Sequence, residues 1–186
     1  MRVLGIGGSP RPGGNTDILL DEALLGARSK GVVVEKIILN DLKMIPCQEC
    51  SKMPNDGKCI IEDDFQIVYK KISDADAVII AAPIFFGSLT AQTKIMIDRF
   101  QCAWRYKEDQ KKPVFKVRKK GAFISVEGSK REDFFDNAKA IVKNLFATIN
   151  IAYKAELLCY NTDLKGAVKK NPDFLKKAFK LGCEMA

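Results

Sequence analysis

The run Gly7-Gly8-Ser9-Pro10-Arg11-Pro12-Gly13-Gly14-Asn15-Thr16 puts glycines, hydroxyls, an amide and one arginine into a single short stretch. If that stretch empties into a helix, it presents free backbone N–H groups at the positive end of the helix dipole, where an anion is stabilised. Ser9, Asn15 and Thr16 add side-chain donors, and Arg11 adds a fork that suits phosphate oxygens. The stretch is predicted to cradle a phosphate. Two other phosphate patterns are excluded: Gly5-Ile6-Gly7-Gly8-Ser9-Pro10 lacks the last glycine of the dinucleotide fingerprint, and no Gly-Lys-Ser/Thr follows. A single phosphate therefore suits it best. The structurally ordinary alternative is a glycine-rich turn with an Asn or Thr helix cap.

A second run, Ala82-Pro83-Ile84-Phe85-Phe86-Gly87-Ser88, follows the buried-strand pattern 77–82 and places an isoleucine and two aromatics where that strand ends. Such a run can clasp a flat ring. Gly87 would let the backbone approach a ligand, and Ser88 would cap the next helix while offering N–H groups. Alone, Phe85 and Phe86 read more readily as core residues; their coincidence with a phosphate loop reverses the balance in favour of the ligand. The cysteines form a third group, with Cys47, Cys50 and Cys59 close together and Cys102, Cys159 and Cys183 in helix or strand patterns that suit packing. There is no histidine, which removes Ser-His and Cys-His hydrolase schemes and a Cys₃His zinc site.

These groups need a scaffold. Residues 2–6 and 32–39 read as strands flanking a helix whose Leu20, Ala23, Leu24 and Ala27 recur at helical spacing up to Gly31. A helix over 64–73, a strand over 77–82, a helix from Ser88 or Thr90 towards Trp104, a strand over 121–126 and a helix carrying Phe135, Ala138, Val142, Leu145 and Phe146 continue the alternation. A strand over 152–159 and a helix opened by Pro172 complete it. Segments 41–63 and 106–120 are expected to be loops. Strands alternating with helices require crossover connections, so the fold class is α/β, a three-layer sandwich around a five-stranded parallel sheet within a single domain over 1–186. In such a sheet ligands bind at the carboxyl ends of strands where the winding reverses, and both ligand runs lie there.

Length and composition agree. A chain of 186 residues, 47% hydrophobic, suits one globular core. The apolar stretch 77–91 is broken by Pro83 and Gly87, and no signal-peptide pattern is visible, so a cytoplasmic protein without membrane insertion is expected. Lys and Arg total 31 against 23 acids, a net charge of +8, which favours an anionic ligand or acidic partner. The lysines are spread out without interleaved aromatics, so nucleic-acid binding is not expected.

The chain resembles the NAD(P)H-dependent FMN reductases of flavodoxin-like fold, and within them the branch of iron–sulfur flavoproteins and multimeric flavodoxins. The resemblance rests on Gly8-Ser9-Pro10-Arg11 with Gly14-Asn15-Thr16, and on Pro83 to Ser88 followed by Ala91-Gln92 and Ile97-Asp98-Arg99. It also rests on Cys47-x-x-Cys50 ahead of Asp63-Asp64, on Lys165-Gly166, and on Lys176-Lys177-Ala178 with Gly182. It implies strand order 2-1-3-4-5, an FMN phosphate held by Ser9, Arg11, Asn15 and Thr16, and an isoalloxazine lined by Pro83, Ile84, Phe85, Phe86, Gly87 and Ser88. Glu127 and Gly128, where the family often has a glycine-rich loop, form a third strip. NAD(P)H as co-substrate, a quinone, metal, flavin or protein as electron acceptor, and a homodimer or homotetramer are further implications. A non-enzymatic FMN electron carrier is the rival reading.

The iron–sulfur branch resembles Cys-x-x-Cys-x-x-Cys with a fourth Cys downstream, because four thiolates complete a [4Fe-4S] cluster. Here Met53 takes the third position, and its thioether is a poor substitute for a thiolate. Three readings of Cys47, Cys50 and Cys59 stand open: a relic loop with free thiols, a Cys47/Cys50 redox pair, and a cluster with a non-cysteine fourth ligand.

Overall fold

The computed structural model describes residues 1–51, 55–129, 131 and 133–186. Five parallel strands make the sheet: β1 (Arg2–Gly7), β2 (Val33–Ile38), β3 (Ala77–Phe85), β5 (Lys119–Val126) and β6 (Ile151–Cys159). They lie in the order β2-β1-β3-β5-β6, and the two-residue β4 (Ser88–Leu89) pairs antiparallel with the end of β3. Counting the parallel strands alone, this is the 2-1-3-4-5 order of the flavodoxin-like fold.

The layers follow from alternation along β3. Ala77, Ile79 and Ala81 belong to one hydrophobic cluster, whereas Val78, Ile80 and Ala82 belong to the other, as successive side chains must point to opposite faces. The first face is covered by α1 (Asn15–Arg28) and α6 (Pro172–Met185), through Leu19, Leu20, Ala23, Leu24, Ala178, Leu181 and Met185. On the second lie α2 (Phe65–Asp74), α3 (Ala91–Asp98), α4 (Gln101–Gln110) and α5 (Asp133–Thr148). Their inward residues include Phe65, Val68, Met96, Val142 and Phe146. Helices α1 and α6 approach so closely that a Cβ on Gly182 would lie 1.7 Å from the Ala23 carbonyl oxygen, and one on Gly26 2.0 Å from that of Phe179. Only glycine fits there.

Two stretches differ from expectation. The helix predicted from Ser88 or Thr90 towards Trp104 is two helices, broken at Arg99-Phe100, and Ser88 belongs to β4 rather than capping a helix. The N-cap position is Thr90, whose Oγ1 donates to the Gly8 carbonyl at 2.6 Å and so ties α3 to the loop after β1. The second is 106–120. Helix α4 persists to Gln110, where Lys111 caps it at φ 51°, and β5 begins at Lys119. That lysine is buried, and its Nζ donates to the carbonyls of Ser73 and Ala75 at 2.8 and 2.5 Å, closing the end of α2. A lysine in this capping role breaks the apolar pattern by which a strand is read.

Candidate functional site

At the carboxyl end of β1 the chain turns into α1 through Gly8 to Gly14. The first bond of the helix runs from the Ile18 N–H to the Gly14 carbonyl at 3.0 Å, so the amides of Asn15, Thr16 and Asp17 have no helical acceptor. Ser9 Oγ accepts from the Arg11 N–H at 3.1 Å, and the Gly14 N–H donates to the Arg11 carbonyl at 3.0 Å, which curls the loop back on itself. Asp17 Oδ2 accepts from the Gly13 N–H at 2.8 Å, and its other oxygen is paired with Lys36. The acid of the first turn is thereby neutralised, and the helix start keeps its positive character.

Asn15 behaves differently from expectation. Its side chain is buried and turned away from the loop's mouth, with Nδ2 donating to the carbonyls of Thr162 at 2.6 Å and Leu164 at 2.8 Å. Its Oδ1 accepts from the Val168 N–H at 3.3 Å. What Asn15 offers an anion is its backbone amide; the side chain joins the loop after β6 to the start of α1.

Above this loop is a shallow cleft open to solvent. It brings together Ser9, Arg11, Asn15 and Thr16 with Pro83, Ile84 and Phe85 and with Glu127 and Gly128. Phe86, Gly87 and Ser88 do not line it. Phe86 at φ 50° and Gly87 at φ 71° form the two-residue turn of the β3–β4 hairpin, where positive φ at both positions matches the strand twist. The turn throws the Phe86 ring wholly into solvent, while Phe85 faces the cleft. Glu127 is buried, and its Oε1 accepts from Ser129 Oγ at 3.0 Å and the Arg131 N–H at 2.9 Å. Thr162, Asp163 and Lys165 complete the rim. The segment 160–165 carries no glycine–hydroxyl run or aromatic strip that would mark it as a site, although Lys165-Gly166 is part of the resemblance.

The sequence profile of the NADPH-dependent FMN reductase family matches residues 1–150. The chain belongs to that family. An iron–sulfur flavoprotein of Methanocaldococcus jannaschii is 43% identical over 99 residues, covering 53% of this chain and 51% of that protein. One from Methanosarcina thermophila is 33% identical over 130 residues, covering 70% of this chain and 65% of that protein. The chain thus matches about half to two thirds of the length of these relatives. Among solved structures, the NAD(P)H:quinone oxidoreductase of Methanothermobacter marburgensis superposes with a TM-score of 0.75 at 16% identity, over 100% of this chain and 99% of that one. This likeness establishes the fold.

In an FMN reductase family member the cleft fits a flavin mononucleotide: unpaired helix amides and Arg11 at one end meet an apolar strip at the other. The cysteine segment fits a cluster less well. Cys47, Cys50 and Cys59 are partly exposed, and among the described residues no three Cys, Asp or Glu side chains are grouped to hold a metal ion. Met53 lies outside the described residues. Instead, the segment is gathered around Arg99. This guanidinium is fully buried, and it donates to Cys59 Sγ (3.3 Å), to the Ile45 and Ile61 carbonyls (3.0 and 3.2 Å) and to Asp63 Oδ2 (2.6 Å). Burial alone would raise the Asp63 carboxyl, but the bonds from Arg99 and from the Ile45 and Phe65 amides outweigh it and hold it below the ordinary carboxylate value. Of the remaining cysteines, Cys102 and Cys159 are buried and burial pushes each thiol up to about 12, whereas Cys183 is only partly covered.

Proposed function

We propose that this chain binds FMN in the cleft and works as an NAD(P)H-dependent oxidoreductase that passes electrons on to a quinone, metal, flavin or protein acceptor. The observation that carries this reading is the junction, in one cleft, of the unpaired α1 amides with the Pro83-Ile84-Phe85 strip. The amides of Asn15, Thr16 and Asp17 with Ser9 and Arg11 would hold the phosphate, and Pro83, Ile84 and Phe85 would cover one side of the ring. Glu127 and Gly128 would border the other edge. Bound FMN supplies the hydride and electron chemistry, so the protein needs to bind, orient and shield it. Dependence on such a cofactor agrees with a chain that has no histidine for acid–base work.

A permanent electron carrier would use the same cleft, but carriers with basic partners benefit from an acidic surface, and this chain carries +8. The names of the curated relatives favour a second reading, an iron–sulfur flavoprotein; Met53 at the third ligand position of the motif speaks against it. Localisation in the cytoplasm and assembly as a homodimer or homotetramer belong to the same proposal. Among the described residues no helix is long and apolar enough to cross a membrane.

The test is an anaerobic absorbance spectrum of the purified protein, with iron and acid-labile sulfide analysis, before and after NADPH. Flavin bands near-stoichiometric with protein, bleached by NADPH and without iron, are expected. Iron at stoichiometric levels would transfer the assignment to the iron–sulfur reading, and failure to bind FMN on titration would remove both.

A further inference from the structure

The loop between β6 and α6 lies far from the phosphate loop in sequence but against it in space. We propose that Lys165 is a second cation of the phosphate site, delivered from the far end of the chain and set in place by the Asn15 side chain. This rests on the FMN reading above and extends it to a residue that the local sequence pattern around Ser9 and Arg11 does not reach.

Three observations support it. The Lys165 ammonium lies 3.9 Å from where a side chain on Gly13 would begin, and Lys165 lines the cleft together with Ser9 and Arg11. Among the described residues neither Lys165 nor Arg11 takes part in an ion pair, whereas Lys36 and Asp17 neutralise each other beside them. Two cations thus line the same cleft as the start of α1 at Asn15 and Thr16, with Asp163 as the carboxylate on the same rim. The position is also fixed rather than incidental. Asn15 bonds to the carbonyls of Thr162 and Leu164 and to the Val168 amide, and the Thr162 hydroxyl donates to the Glu127 carbonyl at 3.0 Å. These bonds hold both ends of the segment that carries Lys165. A dianionic phosphate gains from each additional charge-assisted contact, and an ammonium on an adjustable stem can follow the group as it docks.

The experiment measures equilibrium binding of FMN and of riboflavin, which lacks the phosphate, to the full chain and to Lys165→Gln, Lys165→Arg and Lys169→Gln, at low and high salt. Lys165→Gln is expected to weaken FMN about tenfold at low salt, on the scale of one charge-assisted hydrogen bond, and to leave riboflavin unchanged. The loss should shrink at high salt. Lys165→Arg should retain most of the affinity, and Lys169→Gln, an exposed lysine outside the cleft, all of it. Equal loss of FMN and riboflavin would show Lys165 acting on the ring or on loop structure, and no loss would show it idle; either overturns the proposal while the FMN reading survives. If the unaltered chain binds neither flavin, the reading beneath it fails as well.

Discussion

Arg99 is the side chain on which the most local structure depends. It is among the largest fully buried side chains, its guanidinium lies 4.8 Å from the Phe65 ring centre, and its donors reach four partners of the 45–63 segment. Removing it would strand the largely buried Asp63 carboxylate and two carbonyls. Arg99→Leu is therefore expected to cost about 3–5 kcal/mol in urea unfolding, and Arg99→Lys to recover only part of that, since a point charge cannot serve four partners. The pair also predicts an acid dependence. Because the folded Asp63 carboxyl lies below its unfolded value, the stability it confers is present at neutral pH and is lost as pH falls through the lowered value. The gap between the native chain and Arg99→Leu should thus narrow on acidification; a gap constant with pH would refute an ionic contribution.

At the scale of elements, two contacts position the site. One is the α1–α6 pair, where Gly26 and Gly182 let the backbones meet and so orient the end of α1 that faces the cleft. Gly182→Ala would drive a methyl into the Ala23 carbonyl. A loss of about 1–3 kcal/mol is expected, with a weaker FMN affinity because the start of α1 shifts with its body. An unchanged unfolding midpoint would mean that the helices separate freely. The other is the β3–β4 hairpin. Its Phe86-Gly87 turn, together with the bond from Asn137 Nδ2 to the Gly87 carbonyl at 3.0 Å, aims Phe85 at the cleft and Phe86 away. Adjacent aromatics that read as one ring-binding pair are separated by strand pleat and turn.

For the whole molecule, ligand and fold are linked through the sheet's carboxyl edge, where segments after β1, β3, β5 and β6 converge. A ligand that binds only this assembled edge must stabilise the fold. FMN at about a hundred times its dissociation constant should add about 2.7 kcal/mol, and the melting temperature should climb with FMN concentration. A melting temperature indifferent to FMN would show that the cleft does not bind it in the folded state.

The alternation of strands and helices and the glycine- and hydroxyl-rich loop before α1 were legible in the sequence because each depends on local patterning, whereas the sheet order followed only from the family resemblance. The capping lysine at 119 and the Arg99 break obscured element limits, since both residues answer to partners distant in sequence. Within the site, residue types alone selected Ser9, Arg11, Asn15 and Thr16 and the whole 83–88 run, of which the cleft gathers the first four and Pro83, Ile84 and Phe85. Only the tertiary structure decided that the Asn15 side chain faces a loop 147 residues away, that Arg99 gathers the cysteine segment, that Phe86 leaves the cleft and that Lys165 joins it. Periodicity encodes which face of an element is buried, whereas these choices depend on which distant backbone groups folding brings within hydrogen-bonding reach.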